Sequence, residues 1–173
     1  MNVFISYSHK DRSWCDRLAT QLRGIGKEFV SEVWYDPEIL PGSIWNAEIR
    51  KRLLRADIVI LLISENFLGA KFCPHEVELA LHLRADNKCV IVPILLNYCL
   101  YDSLELGKTD PLPKGGKPIL DSVAWPDQTF ALKEIAARVQ EVAAARRGIT
   151  VHPQGLSLEL PDKIRDLLTT VRL

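Results

Sequence analysis

The sequence predicts an α/β fold in which helices cover both faces of a doubly wound, five-stranded parallel sheet. Short apolar runs alternate along the chain with stretches whose apolar residues recur at helical spacing, which is typical of successive strand–helix–strand units. The clearest run, Ile58 to Ile63, has six consecutive apolar residues, as expected for a strand that is covered on both faces. We expect the strand order 2-1-3-4-5, which is common in sheets of this kind.

Length and composition agree with one globular domain. The chain has 173 residues, of which 47% are hydrophobic and 25% charged, and this is enough to bury a sizeable core. The 22 basic and 22 acidic residues cancel, so no net field draws the chain towards nucleic acid or an anionic membrane. We therefore expect neither as a partner.

Two strands with a helix between them are predicted at the start of the chain. Residues 3–7 form the first strand. Asp11 can cap the helix that follows, and Gly26 can end it. Residues 29–35 form the second strand.

A loop and a helix connect the second strand to the third. The segment 36–42 has two prolines and a glycine, which stop regular structure. Ser43 can cap a helix that places Trp45, Ile49 and Leu53 on one face. This helix leads into the central apolar run.

The second half of the chain continues the alternation. A helix over 74–85, with proline at its tolerated first position, leads to a fourth strand over 89–96. Pro93 interrupts that strand and indicates a bulge or a place near the sheet edge. After a long irregular connection, residues 118–123 form a short fifth strand, and the last helix covers 130–145.

We therefore divide the chain into one domain over residues 1–147 and an extension over 148–173. The extension contains alternating leucines and a stretch with helical spacing. It forms either an added strand and helix or the start of a further domain.

The cysteines and histidines do not predict a metal site. The four cysteines show no CxxC spacing and the four histidines form no HxxxH pair, so we expect no metal and no cofactor. Unpaired thiols are typical of a reducing cytoplasm. The first five residues have neither a basic region nor a long apolar one, so we expect no signal peptide and a cytoplasmic protein.

The sheet order predicts where a ligand binds. In a doubly wound sheet the ligand lies beyond the carboxyl ends of the strands, where the strand order reverses. In the predicted order this point is between the first and third strands, beside the loops 8–10 and 64–72. Any reactive group should come from these loops or from the helix starts beside them.

Glu76 is the acid best placed to enter this crevice. It lies in the first turn of the helix after the third strand and shares a stripe with Leu79, Ala80 and Leu83 that faces the sheet. Glu78 points roughly the opposite way and should be solvated. Alternatively, Glu76 only offsets the dipole of its own helix, for which its position is also favourable.

Three stretches of the chain, in this order and spacing, resemble the signature boxes of Toll/interleukin-receptor (TIR) domains. They are VFISYSHKD at 3–11, WYD with LPGS at 34–43, and SENF with FCPHE at 64–76. The second of them contains the loop known as the BB loop. The chain is most similar to bacterial TIR domains over roughly residues 3–145. This implies the TIR fold, with a flavodoxin-like strand order 2-1-3-4-5.

The resemblance implies cleavage of NAD. In TIR domains that hydrolyse NAD the third box carries the catalytic glutamate, and Glu76 occupies that position. The nicotinamide of NAD is already a cationic leaving group, so one carboxylate that binds the ribose hydroxyls and stabilises an oxocarbenium-like transition state is enough. The products are nicotinamide and ADP-ribose or a cyclic ADP-ribose, and NAD is the substrate rather than a cofactor.

Five further residues border the substrate in this interpretation. Tyr7, Ser8 and His9 would lie beside the phosphates or the ribose, and Trp45 and Phe72 would offer apolar surface to a base. NAD-cleaving members often carry tryptophan where Phe72 stands, and phenylalanine lacks the indole N–H donor. Trp45 and Phe72 could each instead be core residues.

The loop after the second strand predicts self-assembly. It includes Asp36, Ile39, Leu40, Pro41 and Gly42, and its apolar side chains stand where solvent is expected. A second copy that covers them could order the loop and complete the pocket. Alternatively, Ile39 and Leu40 fold back onto the domain's own core.

Two classes of function remain open. One is an NAD glycohydrolase activated by self-assembly, as in bacterial antiphage systems. The other is a non-enzymatic module that signals through TIR–TIR contacts, as in animal adaptors, and Glu76 favours the enzyme. A phosphoacceptor receiver would need an aspartate in place of Ser64, and a dinucleotide-binding oxidoreductase would need GxGxxG after the first strand, so we reject both.

Overall fold

The computed structural model describes residues 1–35, 47–70, 73–103, 106 and 109–148. It confirms the predicted fold class, because helices flank a parallel sheet. The strands are β1 (Asn2–Ser6), β2 (Glu32–Trp34), β3 (Ile58–Ile63) and β4 (Val90–Leu95). The helices are α1 (Arg12–Arg23), α2 (Ala47–Leu54), α3 (Glu65–Leu68), α4 (Cys73–Ala85) and α5 (Gln128–Arg147), with 3₁₀ turns at His9–Asp11 and Tyr101–Ser103.

The sheet of the described residues has the order β2-β1-β3-β4, and all of its pairs are parallel. β3 is an inner strand, and all six of its residues are buried, as its apolar sequence predicts. Val3 and Val90 lie level with Ile58 on its two sides. The chain passes from β1 to β2 in one direction and returns to β3 on the other side of β1. The strand order therefore reverses between β1 and β3, at the predicted place.

Two hydrophobic cores lie on the two faces of the sheet. Successive residues of a strand point to opposite faces, so the face of Ile58 packs against α1 and α5, whereas the face of Val59 packs against α2 and α4. The helix after β1 and the helices after β3 therefore approach the carboxyl ends of the strands from opposite faces.

Pro93 lies at the edge of the sheet, one of the two places predicted for it. The register opposite β3 is continuous from Val92 to Ile94, so there is no bulge. Residues of a strand between two neighbours bond alternately to one side and to the other. Pro93 belongs to the outward set, where its missing N–H breaks no bond within the sheet. Its carbonyl accepts the N–H of Leu112 at 2.8 Å.

Residues 118–123 do not form the predicted fifth strand but a series of turns. Leu112 makes an isolated parallel bridge with Ile94, and the N–H groups of Ile119 and Leu120 donate to carbonyls at the end of β4, both at 3.0 Å. Two glycines with positive φ lie between these contacts. They turn the chain away from β4, so it touches the edge at separate points instead of running beside it.

Two predictions near β2 are corrected. α1 ends just before Gly24 rather than at Gly26. The N–H of Phe29 donates to the carbonyl of Gly26 at 2.9 Å, so the chain turns here, and β2 covers only Glu32–Trp34 of the predicted 29–35. Phe29 is nevertheless buried in the core, which explains why this stretch reads as a strand.

The last helix, α5, begins two residues before its predicted start and ends two residues after its predicted end. Asp127 caps it by accepting the N–H of Thr129 at 2.8 Å, and Gly148 follows with a φ of 68° that favours glycine. No helix within the described ranges is both long and apolar enough to cross a membrane. Residues 149–173 lie outside the description, so the extension stays a prediction.

Candidate functional site

The carboxyl ends of β1 and β3 lie side by side, as the predicted crevice requires. After β1 the chain enters the 3₁₀ turn at His9–Asp11. After β3, Ser64 caps α3, because its Oγ accepts the N–H of Phe67 at 3.0 Å. We call residues 7–11, which include the 3₁₀ turn, and residues 64–67, which include the start of α3, the two crevice loops.

Glu76 faces the sheet from the first turn of α4, as predicted. The residue is only 6% exposed, and Ala80 and Leu83 of the same stripe are also buried. Glu78, by contrast, is exposed. A carboxylate buried to this degree needs hydrogen-bond donors.

Ser6 supplies one such donor. It is the last residue of β1 and lies on the same face as Phe4, which belongs to the core beneath α2 and α4. Its Oγ donates a hydrogen bond to Oε2 of Glu76. This bond joins α4 to the end of an inner strand and places the carboxylate at the crevice.

A second buried carboxylate, Asp11, lies at the same end of the sheet. It is also 6% exposed. Ser64 Oγ donates to its Oδ2 at 2.5 Å, and Asn66 Nδ2 donates to its Oδ1 at 2.8 Å. Ser64 is extended and continues the alternation of Leu62 towards the α1 side. This cluster therefore lies on the face opposite to Glu76.

Asp11 does not cap α1, contrary to the prediction. It stands just before the helix, but its side chain makes no capping hydrogen bond, because both carboxylate oxygens accept bonds from the loop after β3. Its own N–H donates to the carbonyl of Ser8 at 2.7 Å. Asp11 thus connects the two crevice loops.

Three of the five predicted substrate-binding residues, Tyr7, Ser8 and His9, lie in one crevice loop. Tyr7 and Ser8 are buried, whereas His9 is exposed. The ring of Tyr7 is close to two others, with centroid distances of 5.8 Å to His9 and 5.9 Å to Tyr35. The structure therefore brings the three residues to the crevice, and their contacts with a substrate stay predictions.

Tyr35 fixes the end of β2 against α1. Its hydroxyl donates to Oδ1 of Asp16 at 2.7 Å. This hydrogen bond, together with partial burial, raises the pKa of Tyr35 above its ordinary value. The contact lies directly before the predicted assembly loop.

The other predicted site residues lie outside the described part of the chain. They are Trp45 and Phe72, and the assembly-loop residues Asp36, Ile39, Leu40, Pro41 and Gly42. Their roles stay predictions. Among the residues that are described, no group of three or more His, Cys, Asp or Glu side chains could hold a metal ion.

Sequence reasoning missed the polar partners of the two carboxylates, Ser6, Ser64 and Asn66. A signal was present, since Ser6 and Ser64 directly follow the apolar runs of β1 and β3, and a buried hydroxyl requires a partner. Which side chains are hydrogen-bond partners could not be predicted from local spacing. Ser6 and Glu76 are 70 residues apart in the chain, and Ser64 and Asp11 are 53 apart.

A family model described as the TIR domain matches residues 3–121. The chain belongs to the TIR-domain family. The match extends from β1 past β4, and it includes both crevice loops and α4 with Glu76. The resemblance of the three sequence boxes is therefore confirmed.

Relatives of this TIR domain include two bacterial proteins. The protein y4lF of Sinorhizobium fredii is 32% identical over 143 residues, which is 82% of this chain and 43% of that protein. The NAD(+) hydrolase TcpC of Escherichia coli O6:H1 is 28% identical over 150 residues, which is 84% of this chain and 44% of that protein. This chain thus spans less than half the length of either relative.

Among solved structures, the TIR domains of the activated Roq1 resistosome are similar to this chain. The TM-score is 0.46, the sequence identity is 14%, and the alignment covers 99% of each chain.

Proposed function

We propose that this TIR domain cleaves NAD between nicotinamide and ribose, with Glu76 as its catalytic residue. The observation that carries the proposal is the buried carboxylate of Glu76, held by Ser6 at the point where the strand order reverses. A buried acid at the crevice where a doubly wound sheet binds its ligand is a candidate for catalysis. The similarity to the NAD(+) hydrolase TcpC supports the same reaction.

The reaction needs little from the protein beyond charge and position. The bond from the ribose carbon to the nicotinamide nitrogen breaks, and its electron pair stays on nicotinamide, which leaves as a neutral molecule. The Glu76 carboxylate stabilises the positive charge that develops on the ribose and accepts hydrogen bonds from its hydroxyls. Water then adds to the ribose carbon and loses a proton to the solvent, which gives ADP-ribose. Alternatively, another group of the same molecule adds and gives a cyclic product.

The crevice loop after β1 is the proposed wall for the rest of NAD. Tyr7, Ser8 and His9 lie directly beyond the end of β1, and His9 is exposed. We assign them to the ribose or the phosphates, and Trp45 and Phe72 to the bases. We place the reaction in the cytoplasm of a bacterium and propose that it serves in defence against phage. The unpaired thiols of the cysteines whose side chains are described agree with a reducing cytoplasm.

Nicotinamide release from NAD tests the catalytic assignment. Glu76→Gln keeps the shape of the side chain but removes its charge, and we expect the rate to fall by about 100-fold or more. Glu78→Gln is the matched control, because it makes the same change two residues away on the exposed side of α4. Circular dichroism checks that both variants fold.

A folded Glu76→Gln protein with full turnover would remove the catalytic assignment. Glu76 would then only offset the dipole of its own helix, and the substitution would cost up to about 2 kcal/mol of stability, because the carboxylate is buried. If the parent itself releases no nicotinamide at any concentration, the non-enzymatic TIR–TIR module is the better function.

We also propose that self-assembly activates the enzyme. The apolar residues Ile39 and Leu40 of the predicted assembly loop support this, since a second copy that covers them would hold the pocket in reactive geometry. Specific activity should rise with protein concentration over a hundredfold range, and Leu40→Asp should remove the rise. A flat profile, with Leu40→Asp as active as the parent, would identify a self-contained monomer.

A further inference from the structure

Asp11 is a buried carboxylate that the proposed reaction does not use. Both of its oxygens accept hydrogen bonds from the opposite crevice loop, at 2.5 Å from Ser64 and 2.8 Å from Asn66. Its N–H donates to the carbonyl of Ser8 at 2.7 Å within its own loop. A single residue therefore holds together the two loops on either side of the crevice.

We propose that Asp11 is a positioning residue for the dinucleotide. It holds the loop that carries Ser8 and His9 against the loop after β3, and so sets the width of the crevice. The inference rests on the proposed cleavage of NAD.

Asp11 acts on binding of the substrate rather than on the reacting atoms. Its hydrogen bonds lie on the α1 side of the sheet, whereas Ser6 and Glu76 meet on the α4 side. Loss of the Asp11 contacts would release the walls of the crevice without moving the carboxylate of Glu76. The affinity for NAD should therefore fall more than the rate of the bound complex.

The role depends on the geometry of the side chain and not on its charge. In Asp11→Asn the side-chain oxygen can accept from Ser64, and the side-chain amide can donate to the oxygen of Asn66 once the amide of Asn66 turns over. Both contacts between the loops then survive. In Asp11→Ala both are lost.

The test is NAD cleavage by the 173-residue chain, with KM and kcat measured separately. For Asp11→Ala we expect KM to rise about tenfold while kcat stays within about twofold of the parent, because binding is lost and the contact made by Glu76 in the transition state is kept. For Asp11→Asn both constants should stay within about twofold of the parent.

Asp57 provides the matched control. Its carboxylate accepts the N–H of Asn2 at 2.7 Å, so it joins β1 to β3 at the opposite, amino end of the sheet. Asp57→Ala should lower the melting temperature without changing KM. A rise in KM that is confined to Asp11→Ala then reports on the crevice loops and not on lost stability.

Two results would overturn the proposal. One is an unchanged KM in Asp11→Ala, with a rate that falls only in step with the unfolded fraction. The other is an Asp11→Asn variant as impaired as Asp11→Ala, which would assign the effect to charge.

If the parent does not cleave NAD, the proposed function fails and amide hydrogen exchange decides on Asp11. Faster exchange of residues 64–67 in Asp11→Ala, with unchanged exchange at Leu18 in α1, would support the positioning of the loops. Unchanged exchange at residues 64–67 would overturn it.

Discussion

The two buried carboxylates at the carboxyl end of the sheet each accept a hydrogen bond from a serine, but they come from the connections after different strands. Glu76 follows β3 and accepts a hydrogen bond from Ser6 at the end of β1. Asp11 follows β1 and accepts one from Ser64 at the end of β3. Each acid thus comes from the chain after one strand. Its serine is either the last residue of the other strand, as Ser6 is in β1, or the residue directly after it, as Ser64 is after β3. At the carboxyl end of the sheet, one such acid–serine pair lies on each face.

The two pairs differ in what they hold. Ser6 belongs to a strand whose backbone is fixed by the sheet, so its bond to Glu76 places a helix against a rigid element. Asp11 and Ser64 both lie beyond the strands, so their bond joins two segments that the ladder does not fix. We therefore expect the Ser6–Glu76 pair to place a reactive group and the Ser64–Asp11 pair to shape the walls around it.

Of the two serine substitutions, Ser64→Ala should cause the larger loss of stability. The Oγ of Ser64 donates to Asp11 and accepts from the N–H of Phe67, and the residue is fully buried. Alanine leaves a buried carboxylate and a buried N–H each short of one partner, so the free energy of unfolding should fall by about 2–4 kcal/mol.

Urea denaturation measures this loss. Ser122→Ala, in an exposed turn, is the control and should change the free energy of unfolding by about 0.5 kcal/mol or less. A loss in Ser64→Ala no larger than in the control would mean that the Asp11 cluster contributes little to the fold.

Ser6→Ala should cause the smaller loss of stability, and its effect on activity should distinguish the role of the Ser6–Glu76 pair from that of the Asp11 cluster. It removes one donor from a buried carboxylate, so the free energy of unfolding should fall by about 1–3 kcal/mol. Because Glu76 then loses the contact that places it, kcat should fall about tenfold while KM stays near that of the parent. In Asp11→Ala, by contrast, we expect KM to rise while kcat stays near that of the parent.

Steady-state kinetics, with the rate corrected for the folded fraction, measures kcat and KM separately. A Ser6→Ala variant that raises KM and keeps kcat would show that both pairs serve substrate binding, and the distinction between them would be lost. A larger loss of stability than in Ser64→Ala would contradict the argument from the number of bonds.

The layers of the fold could be predicted from the sequence because the apolar pattern depends only on burial. β3 is apolar throughout and is covered on both faces, and the spacing of α4 gave the buried side of Glu76 correctly. The ends of elements were less readable. The stretch that contains Phe29 has a strand-like sequence, but Phe29 lies in a turn. Residues 118–123 contact the end of β4 through two N–H groups without forming a strand. Contacts between residues distant in the chain decide both cases.

For the candidate site, the place of the crevice and the buried side of Glu76 could be predicted from the sequence, whereas the catalytic role of Glu76 stays a prediction. Glu76 was found from helical spacing and resemblance, and the crevice from the strand order. Asp11 was assigned to the cap of α1 because a residue before a helix usually serves there, as Asp127 does for α5. A neighbouring loop competed for its carboxylate, and no local pattern shows which of two partners a side chain will take.

Pro93 and the short β2 limit how copies of this chain can meet. An outer strand normally offers a row of N–H and carbonyl groups on which another chain can extend the sheet. Pro93 has no N–H to offer, its carbonyl is bonded to Leu112, and β2 at the other edge has only three residues. Growth of one continuous sheet through many molecules, the route to insoluble fibrils, is therefore disfavoured at both edges. The proposed self-assembly should therefore use surfaces other than the two edges of the sheet.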